Sequence, residues 1–405
     1  MKLRPFNPQT DTAAVRRIWK ECGWATEEKY QEAMDDFLAE TRSLVGEVNG
    51  EAECLVTSAR GSIRHLKQDL RLAAVTGVTT SYVARKQGLA QRLTARLVAE
   101  DAADGAEVSA LGIFEQGFYN KLGYGTGSYE NIVCFDPAEL AVPVTAGIPR
   151  RLSCEDWEEI HQARLSRQRG HGSCNIDSAV ITRGEMRFTK GGFGLGYGTP
   201  LTHFIWCEPK GGAGPYSIDI IAWRNREQLL ELMALIRNLG DQVSSVRMLE
   251  PACIHIQNML RQPFRHQRLT ENSKHQSSIR AYAKWQIRLC DIESCLAKTS
   301  LPGGDVRFGL TLTDPVEKYL DEDQPWRGVA GEYVITIGKE SSAERGSDDS
   351  LPHMTATVNA FSRLWLGVLP ASGLAIVEEL EAPESLLESL DDLLRLPAPR
   401  CDWDF

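Results

Sequence analysis

The run Val78-Thr79-Thr80-Ser81-Tyr82-Val83-Ala84-Arg85-Lys86-Gln87-Gly88-Leu89-Ala90-Gln91 decides how this 405-residue chain reads. An apolar strand expected over 72–79 ends in a basic turn, and the turn opens a helix expected over 88–103, with Leu89, Leu93 and Leu97 on one face. Such a strand–turn–helix junction is an anion cradle. The first N–H groups of a helix lack intrahelical partners, and the positive end of its dipole faces outward. Gly88 lets the backbone come close to a ligand, and Arg85 and Lys86 add charge. Gly77, inside the strand, predicts a bulge.

Outward from this run, strand and helix patterns alternate. Residues 2–5 read as a short strand, and Asp11 as the N-cap of a helix bearing Ala14, Val15, Ile18, Trp19 and Cys22. Residues 43–48 and 54–59 flank Asn49-Gly50, the strongest short hairpin signal. A strand over 108–114, a short helix over 117–122 and a strand over 132–135 follow, and three prolines make 136–150 a linker. A second unit comprises a helix over 154–167, a glycine-rich loop or hairpin over 191–198, a strand over 217–223 and a helix over 227–239. Gly194-x-Gly196-x-Gly198 is not a dinucleotide fingerprint, because Pro200 and a further strand follow it instead of a helix. A third pattern begins near Ile287. It has strands over 306–313, 331–338 and 355–358, a polar loop over 340–350, a helix over 360–367, and a last helix from Pro383 with Leu386, Leu387, Leu390, Leu393 and Leu394 on one face.

Composition narrows the function. At 42% hydrophobic and 25% charged residues, the chain is globular, and its length calls for two or three domains. The formal charge of −10 argues against nucleic acid as the main partner. No stretch reaches the ~20 apolar residues of a membrane span. The start, MKLRPFNPQTD, lacks a signal-peptide core, so a cytoplasmic protein is expected. Ten cysteines form no C-x-x-C pair, eight histidines form no H-E-x-x-H, and neither a G-x-S-x-G elbow nor a G-x-x-x-x-G-K-[ST] loop occurs. Reduced thiols and no metal site are expected. Residues 376–405 hold nine acids against two arginines, and the aromatic end Cys401-Asp402-Trp403-Asp404-Phe405 reads as a tail that docks.

A second motif, Gly117-Phe118-Tyr119-Asn120-Lys121-Leu122-Gly123-Tyr124-Gly125, follows one strand and one turn after the basic turn. Together the two resemble the GCN5-related N-acetyltransferase (GNAT) family. The whole chain is similar to its Eis ("enhanced intracellular survival") branch, a likeness carried by 78–91, 119–125 and the terminal Asp404-Phe405. The resemblance implies an α/β (α+β) fold of two fused GNAT-type mixed-sheet modules, the second degenerate, then a sterol-carrier-protein-like domain. The divisions would be 1–140, 141–285 and 286–405. It also implies a hexamer, and transfer of acetyl from acetyl-CoA directly to a primary amine of a cationic small molecule, aminoglycoside or polyamine-like, or of lysine.

Residue by residue, the resemblance lays acetyl-CoA along Val78, Thr79 and Thr80. Its phosphates fall on Arg85, Lys86, Gln87, Gly88, Leu89, Ala90 and Gln91, and Tyr119 and Asn120 flank it. Tyr124 would protonate the departing thiolate, and the terminal carboxylate of Phe405 would act as base. Phe118 is expected in the core and the glycine-flanked Tyr124 outside it. Trp24, Asp35, Asp36, Glu115 and Asp404 would form an acidic, aromatic pocket for a cationic acceptor, and Phe114 would narrow its tunnel. The turn is less basic than the family's usual arginine run. The second module has no such turn after its strand over 217–223, so only the first would bind cofactor. A different class of function is a carrier or sensor whose third domain holds a lipid or other apolar ligand.

Overall fold

The computed structural model describes residues 2–25, 27 and 30–404. The first sheet runs Lys2–Pro5, Arg42–Val48, Glu51–His65, Gln68–Thr80, Val108–Gly112, Trp285–Leu289, Gly125–Thr126, with Cys174–Ile176 added beside Glu51–His65. Asn49 and Gly50, both at positive φ (54° and 91°), make the expected hairpin turn. Helix Leu89–Ala103 packs on this sheet through Leu93, Leu97 and Val98, all buried.

The second sheet runs Ser278–Tyr282, Glu130–Phe135, Val246–Leu249, Tyr216–Ala222, His203–Pro209, Phe193–Tyr197, Arg150–Leu152. The two modules therefore exchange strands. Glu130–Phe135 leaves the first module to pair with Val246–Leu249 and Ser278–Tyr282. Trp285–Leu289 returns and inserts between Val108–Gly112 and Gly125–Thr126. The first sheet thus crosses the divisions expected at 140 and 285, and the second sheet the one at 140. All five residues of Trp285–Leu289 are buried, including Gln286 and Arg288.

The third sheet runs Ser342–Arg345, Gly331–Ile337, Val306–Thr313, His353–Thr357, Leu380–Glu381. Helices Val358–Trp365 and Glu384–Leu393 cover it, and its core (Phe308, Phe361, Trp365) is continuous with Ile63, Leu70 and Ile287 of the first sheet. No helix among the described residues is long and apolar enough to cross a membrane.

Several local expectations are corrected. Helix Pro8–Glu21 is capped by Asn7, whose side chain accepts from the Gln9 N–H, while Asp11 is buried and clamps Arg4 at 2.6 and 2.9 Å. Of the loop or hairpin expected over 191–198, the hairpin forms: strand Phe193–Tyr197 pairs antiparallel with His203–Pro209, and its glycines admit large neighbours, a Cβ on Gly194 lying 2.8 Å from Leu152 and 2.9 Å from Trp206. The polar loop over 340–350 contains strand Ser342–Arg345, and the strand expected to reach 114 ends at Gly112.

Candidate active site

Strand Gln68–Thr80 carries the predicted bulge. Thr57 pairs with Thr76 and Leu55 with Thr79, so Gly77 and Val78 together oppose Val56. Gly77 has φ 61°, and a Cβ there would lie 2.9 Å from Thr57 Oγ1. On the opposite edge, parallel pairing with Val108–Gly112 ends at Val75–Leu111. Beyond that point the two strands part, and the run Thr76–Thr80 has no strand partner on that side among the described residues.

The parted edge leads into the basic turn. Lys86 (φ 60°) and Gly88 (φ 76°) reverse the chain, and helix Leu89–Ala103 starts with no side-chain cap. Its first intrahelical bond is Arg92 N–H to Gly88 C=O, which leaves the N–H groups of Leu89, Ala90 and Gln91 open. Arg85, Lys86, Gln87 and Gly88 are exposed, and the Arg85 guanidinium lies 4.7 Å from the centre of the Tyr82 ring.

The tyrosine motif forms helix Gln116–Asn120, and its two phenols differ. Tyr119 lies in one apolar cluster with Val75, Ala84 and Leu89, and its hydroxyl makes no hydrogen bond to any described residue; burial pushes its pKa up to about 12. Asn120 is held through its Oδ1 by Gln286 Nε2 (2.6 Å) and through its carbonyl by Asn359 Nδ2 (2.9 Å). Tyr124 is wholly buried, its hydroxyl 2.7 Å from Ser109 Oγ. Ser109 Oγ spends its one proton on the Ala73 carbonyl (3.0 Å), so the Tyr124 proton goes to Ser109. Burial raises the Tyr124 pKa, against the pull of Ser109 and Arg288. The expected exposure is thus reversed: Tyr124 is core, and Phe118 only half-buried.

Beside the bulge lies a cleft of about 330 Å³ lined by Trp19, Trp24, Phe37, Thr57, Thr76, Gly77 and Phe188. Phe37, Thr76 and Phe188 also border a cavity of about 740 Å³, which runs between the modules to the chain's end. Phe188 comes from the second module and meets Trp19, Tyr30 and Phe37 at 5.7 to 6.4 Å between ring centres.

The tail is docked as expected. The Asp402 carboxylate takes two bonds from Arg167 (2.7 and 3.0 Å), one from Ser173 Oγ and one from the Cys174 N–H. Burial alone would raise the Asp402 pKa, but these donors, Arg167 foremost, hold it below the usual carboxylate range. Trp403 lies under Arg164 (3.5 Å) and donates its indole N–H to Glu185. Asp404 borders the cavity and bonds Lys284 Nζ at 2.7 Å. Phe405 lies outside the described residues.

Of the predicted acceptor pocket, Trp24 and Asp404 line these spaces, and three acids do not. Asp35 pairs with Arg16 on the surface. Asp36 is buried and clamps Arg183 and Arg187 of the second module, tying the modules together. Glu115 caps its own helix by accepting from the Gly117 N–H. Phe114 is 88% exposed and borders neither space. The acids that border the cavity besides the tail are Glu185, Glu208, Asp219 and Glu250. Asp219 had one sequence signal, as the lone charge in the strand YSIDIIA.

The parted strands and the open helix start thus lie beside an aromatic cleft and a large, half-open cavity. Residues 3–127 match the family model of an acetyltransferase (GNAT) domain. The whole chain superposes on a probable N-acyltransferase of unknown function from Enterococcus faecalis (16% identity, TM-score 0.80, covering 100% of this chain and 99% of that one). It also superposes on a GCN5-related N-acetyltransferase from Anabaena variabilis (14%, 0.77, 100% of each) and on Eis1 from Mycobacterium abscessus (16%, 0.74, 100% of each). No curated protein matches the sequence. Residues 3–127 match a GNAT domain, which supports an acyltransferase, and the whole chain has the fold of Eis1.

Proposed function

We propose that the chain transfers an acetyl group from acetyl-CoA directly to a primary amine of a cationic small molecule. The observation that carries this reading is the gap beside Gly77. One end meets an uncapped helix start, and the other opens on a cavity that holds the acidic tail.

The residues present suit the cofactor. Leu89, Ala90 and Gln91 offer open N–H groups to phosphate oxygens, with Arg85, Lys86, Gln87 and Gly88 around them. Val78, Thr79 and Thr80 offer a partnerless strand edge to an amide-bearing arm, and Tyr119 and Asn120 stand beyond it. Acetyl-CoA, when bound, supplies the acetyl group as an activated thioester.

The acceptor nitrogen bonds to the acetyl carbon as the carbon–sulfur bond breaks. The surplus ammonium proton passes to solvent in the cavity. Tyr119 gives its proton to the departing sulfur, because Tyr124 is committed to Ser109. A cation is the suited acceptor because six acids border the cavity against five basic side chains, Arg164, Arg167, Arg247, Lys284 and Arg400. The carrier reading finds less support: Leu386 and Leu390 of the last helix are buried in the third unit's own core.

The test is calorimetry with coenzyme A, followed by coenzyme A release from acetyl-CoA across a panel of amines. Binding with turnover of cationic amines is expected; no heat and no turnover would refute the reading.

A further inference from the structure

The second module keeps the parted strands of the first without its phosphate turn. Tyr216–Ala222 pairs in parallel with Val246–Leu249 through Tyr216–Val246, Ser217–Arg247 and Ile218–Met248, and the pairing stops there. The other edge carries a bulge. Trp206 pairs with Ile220 and Cys207 with Ile218, so Asp219 is the extra residue. Bulges re-aim side chains and recur beside active sites. The helix that follows, Arg226–Asn238, is closed at its start: Asn225 Oδ1 accepts from the Gln228 N–H (3.0 Å), and Gln228 Oε1 accepts from the Arg224 N–H (2.8 Å). A phosphate finds no cradle there.

The 740 Å³ cavity fills this second splay. Ile218, Ile220, Ile221 and Trp223 line one side, Met248 and Leu249 the other, and it joins the Gly77 cleft through Thr76 and the rings of Phe37 and Phe188. Three of its cations are spent on neighbours: Arg164 on Glu185, Arg167 on Asp402, Lys284 on Asp404. Asp219 takes one hydrogen bond, from Ser217 Oγ (2.7 Å), and no described cation lies within ion-pair distance of it. Asp219 is exposed at the cavity's edge; partial desolvation with nearby Glu208 and Asp404 raises its pKa against the pull of Ser217 and Lys210.

We propose that the strand splay of the second module is the specificity site for the acceptor, where Asp219 holds a second, distal ammonium of an aliphatic di- or polyamine whose methylenes lie on the isoleucine walls. The proposal rests on the acetyl-transfer reading for the position of the reacting amine, which sits at the Gly77 end. It gives the degenerate module a role: a cofactor slot that has lost its phosphate grip has become the ruler for the substrate. Arg247 and Arg400 also line the cavity, and an acceptor ending in a carboxylate would engage those instead.

The test compares alkane-α,ω-diamines, n-alkylamines and ω-amino acids of equal length, with wild type, Asp219→Asn and Asp219→Glu. The Asn variant keeps an oxygen for Ser217, so folding is expected to survive, and a thermal melt checks it. A charge-assisted bond lost predicts that kcat/KM for the best diamine falls about tenfold or more in Asp219→Asn, through KM. The monoamine and coenzyme A affinity stay unchanged, and Asp219→Glu restores the diamine preference. Equal use of diamine and monoamine by wild type, a preference for the ω-amino acid, or a diamine preference untouched by Asp219→Asn would each overturn it. If nothing is acetylated, the acetyl-transfer reading fails, and diamine binding by calorimetry decides the slot alone. A roughly tenfold loss of affinity in Asp219→Asn supports it, and no binding to wild type refutes it.

Discussion

The two tyrosines of one motif are separable by substitution. Tyr119→Phe removes a phenol whose hydroxyl is uncommitted, whereas Tyr124→Phe removes one that closes the chain Tyr124–Ser109–Ala73. General acids contribute about 10²- to 10⁴-fold to rate. Burial has pushed Tyr119 up to about 12, well above a thiol near ~8.5, so its proton is poorly matched to a departing thiolate and the low end applies. Tyr119→Phe should therefore lower kcat about 10²-fold, or about 2.7 kcal/mol, with little change in coenzyme A affinity. Tyr124→Phe should leave kcat within about twofold and cost about 1–2 kcal/mol of stability, because Ser109 keeps its bond to Ala73 and loses only a donor. Single-turnover coenzyme A release and urea melts on both variants read this directly. A collapse of kcat in Tyr124→Phe beside near-normal turnover in Tyr119→Phe would refute the proton accounting.

Glu130 is buried with both carboxylate oxygens unbonded to described residues, and burial pushes its pKa up to about 7 against the pull of Lys284. With the folded value above the ordinary 4.5, its contribution to stability is full below that pH and is lost as pH rises through about 7, roughly 3 kcal/mol in all. Urea melts should show Glu130→Gln more stable than wild type at about pH 8 and flatter between about pH 5 and 8; parallel curves would contradict this. Asp314→Asn should cost about 3–5 kcal/mol, because Arg288, 2.6 Å away with neither side chain exposed, would lose its counter-ion in the core; a change under about 1 kcal/mol by denaturant titration would contradict it. Gly77→Ala places a methyl 2.9 Å from Thr57 Oγ1 at φ 61°, so the bulge should shift and coenzyme A affinity fall about tenfold by calorimetry; unchanged affinity would separate the bulge from cofactor binding.

What was legible in the sequence was local chemistry. Asn49-Gly50, Gly77 and Gly88 each demand a backbone conformation from a few neighbours, and all three take it. What was not legible depended on partners far along the chain. Trp285–Leu289 does not read as an interior strand, because Gln286 and Arg288 sit in it; Asn120 and Asp314 pair with them. Asp36 reads as an acid of the acceptor pocket until Arg183 and Arg187 arrive from the second module. The glycines around Tyr124 suggested exposure for a physical reason that proved inverted. They are small because the third unit presses on them: a Cβ on Gly125 would lie 2.4 Å from the Asn359 carbonyl, and one on Gly123 2.7 Å from Val358. Helix Gln31–Glu40, which supplies Phe37 to the aromatic wall, drew no sequence expectation because two acids interrupt its apolar face.

The exchange of strands ties the two halves of the site into one object. Glu130–Phe135 and Trp285–Leu289 cross between the sheets in opposite directions, so the first module's central pairing is completed by residues that follow the second module in sequence. Apolar burial alone sets such an interface loosely, because it has no direction. The contacts that fix its register are directional: Asp36 on Arg183 and Arg187, Asp402 on Arg167, and Gln286 on Asn120. Each of these residues either stands beside the tyrosine motif or holds a wall of the cavity. Buried and half-buried polar pairs add little net stability but punish misalignment severely. Their concentration around the cavity suits the proposed transfer, in which an acceptor amine must meet a thioester and an error of an ångström is costly.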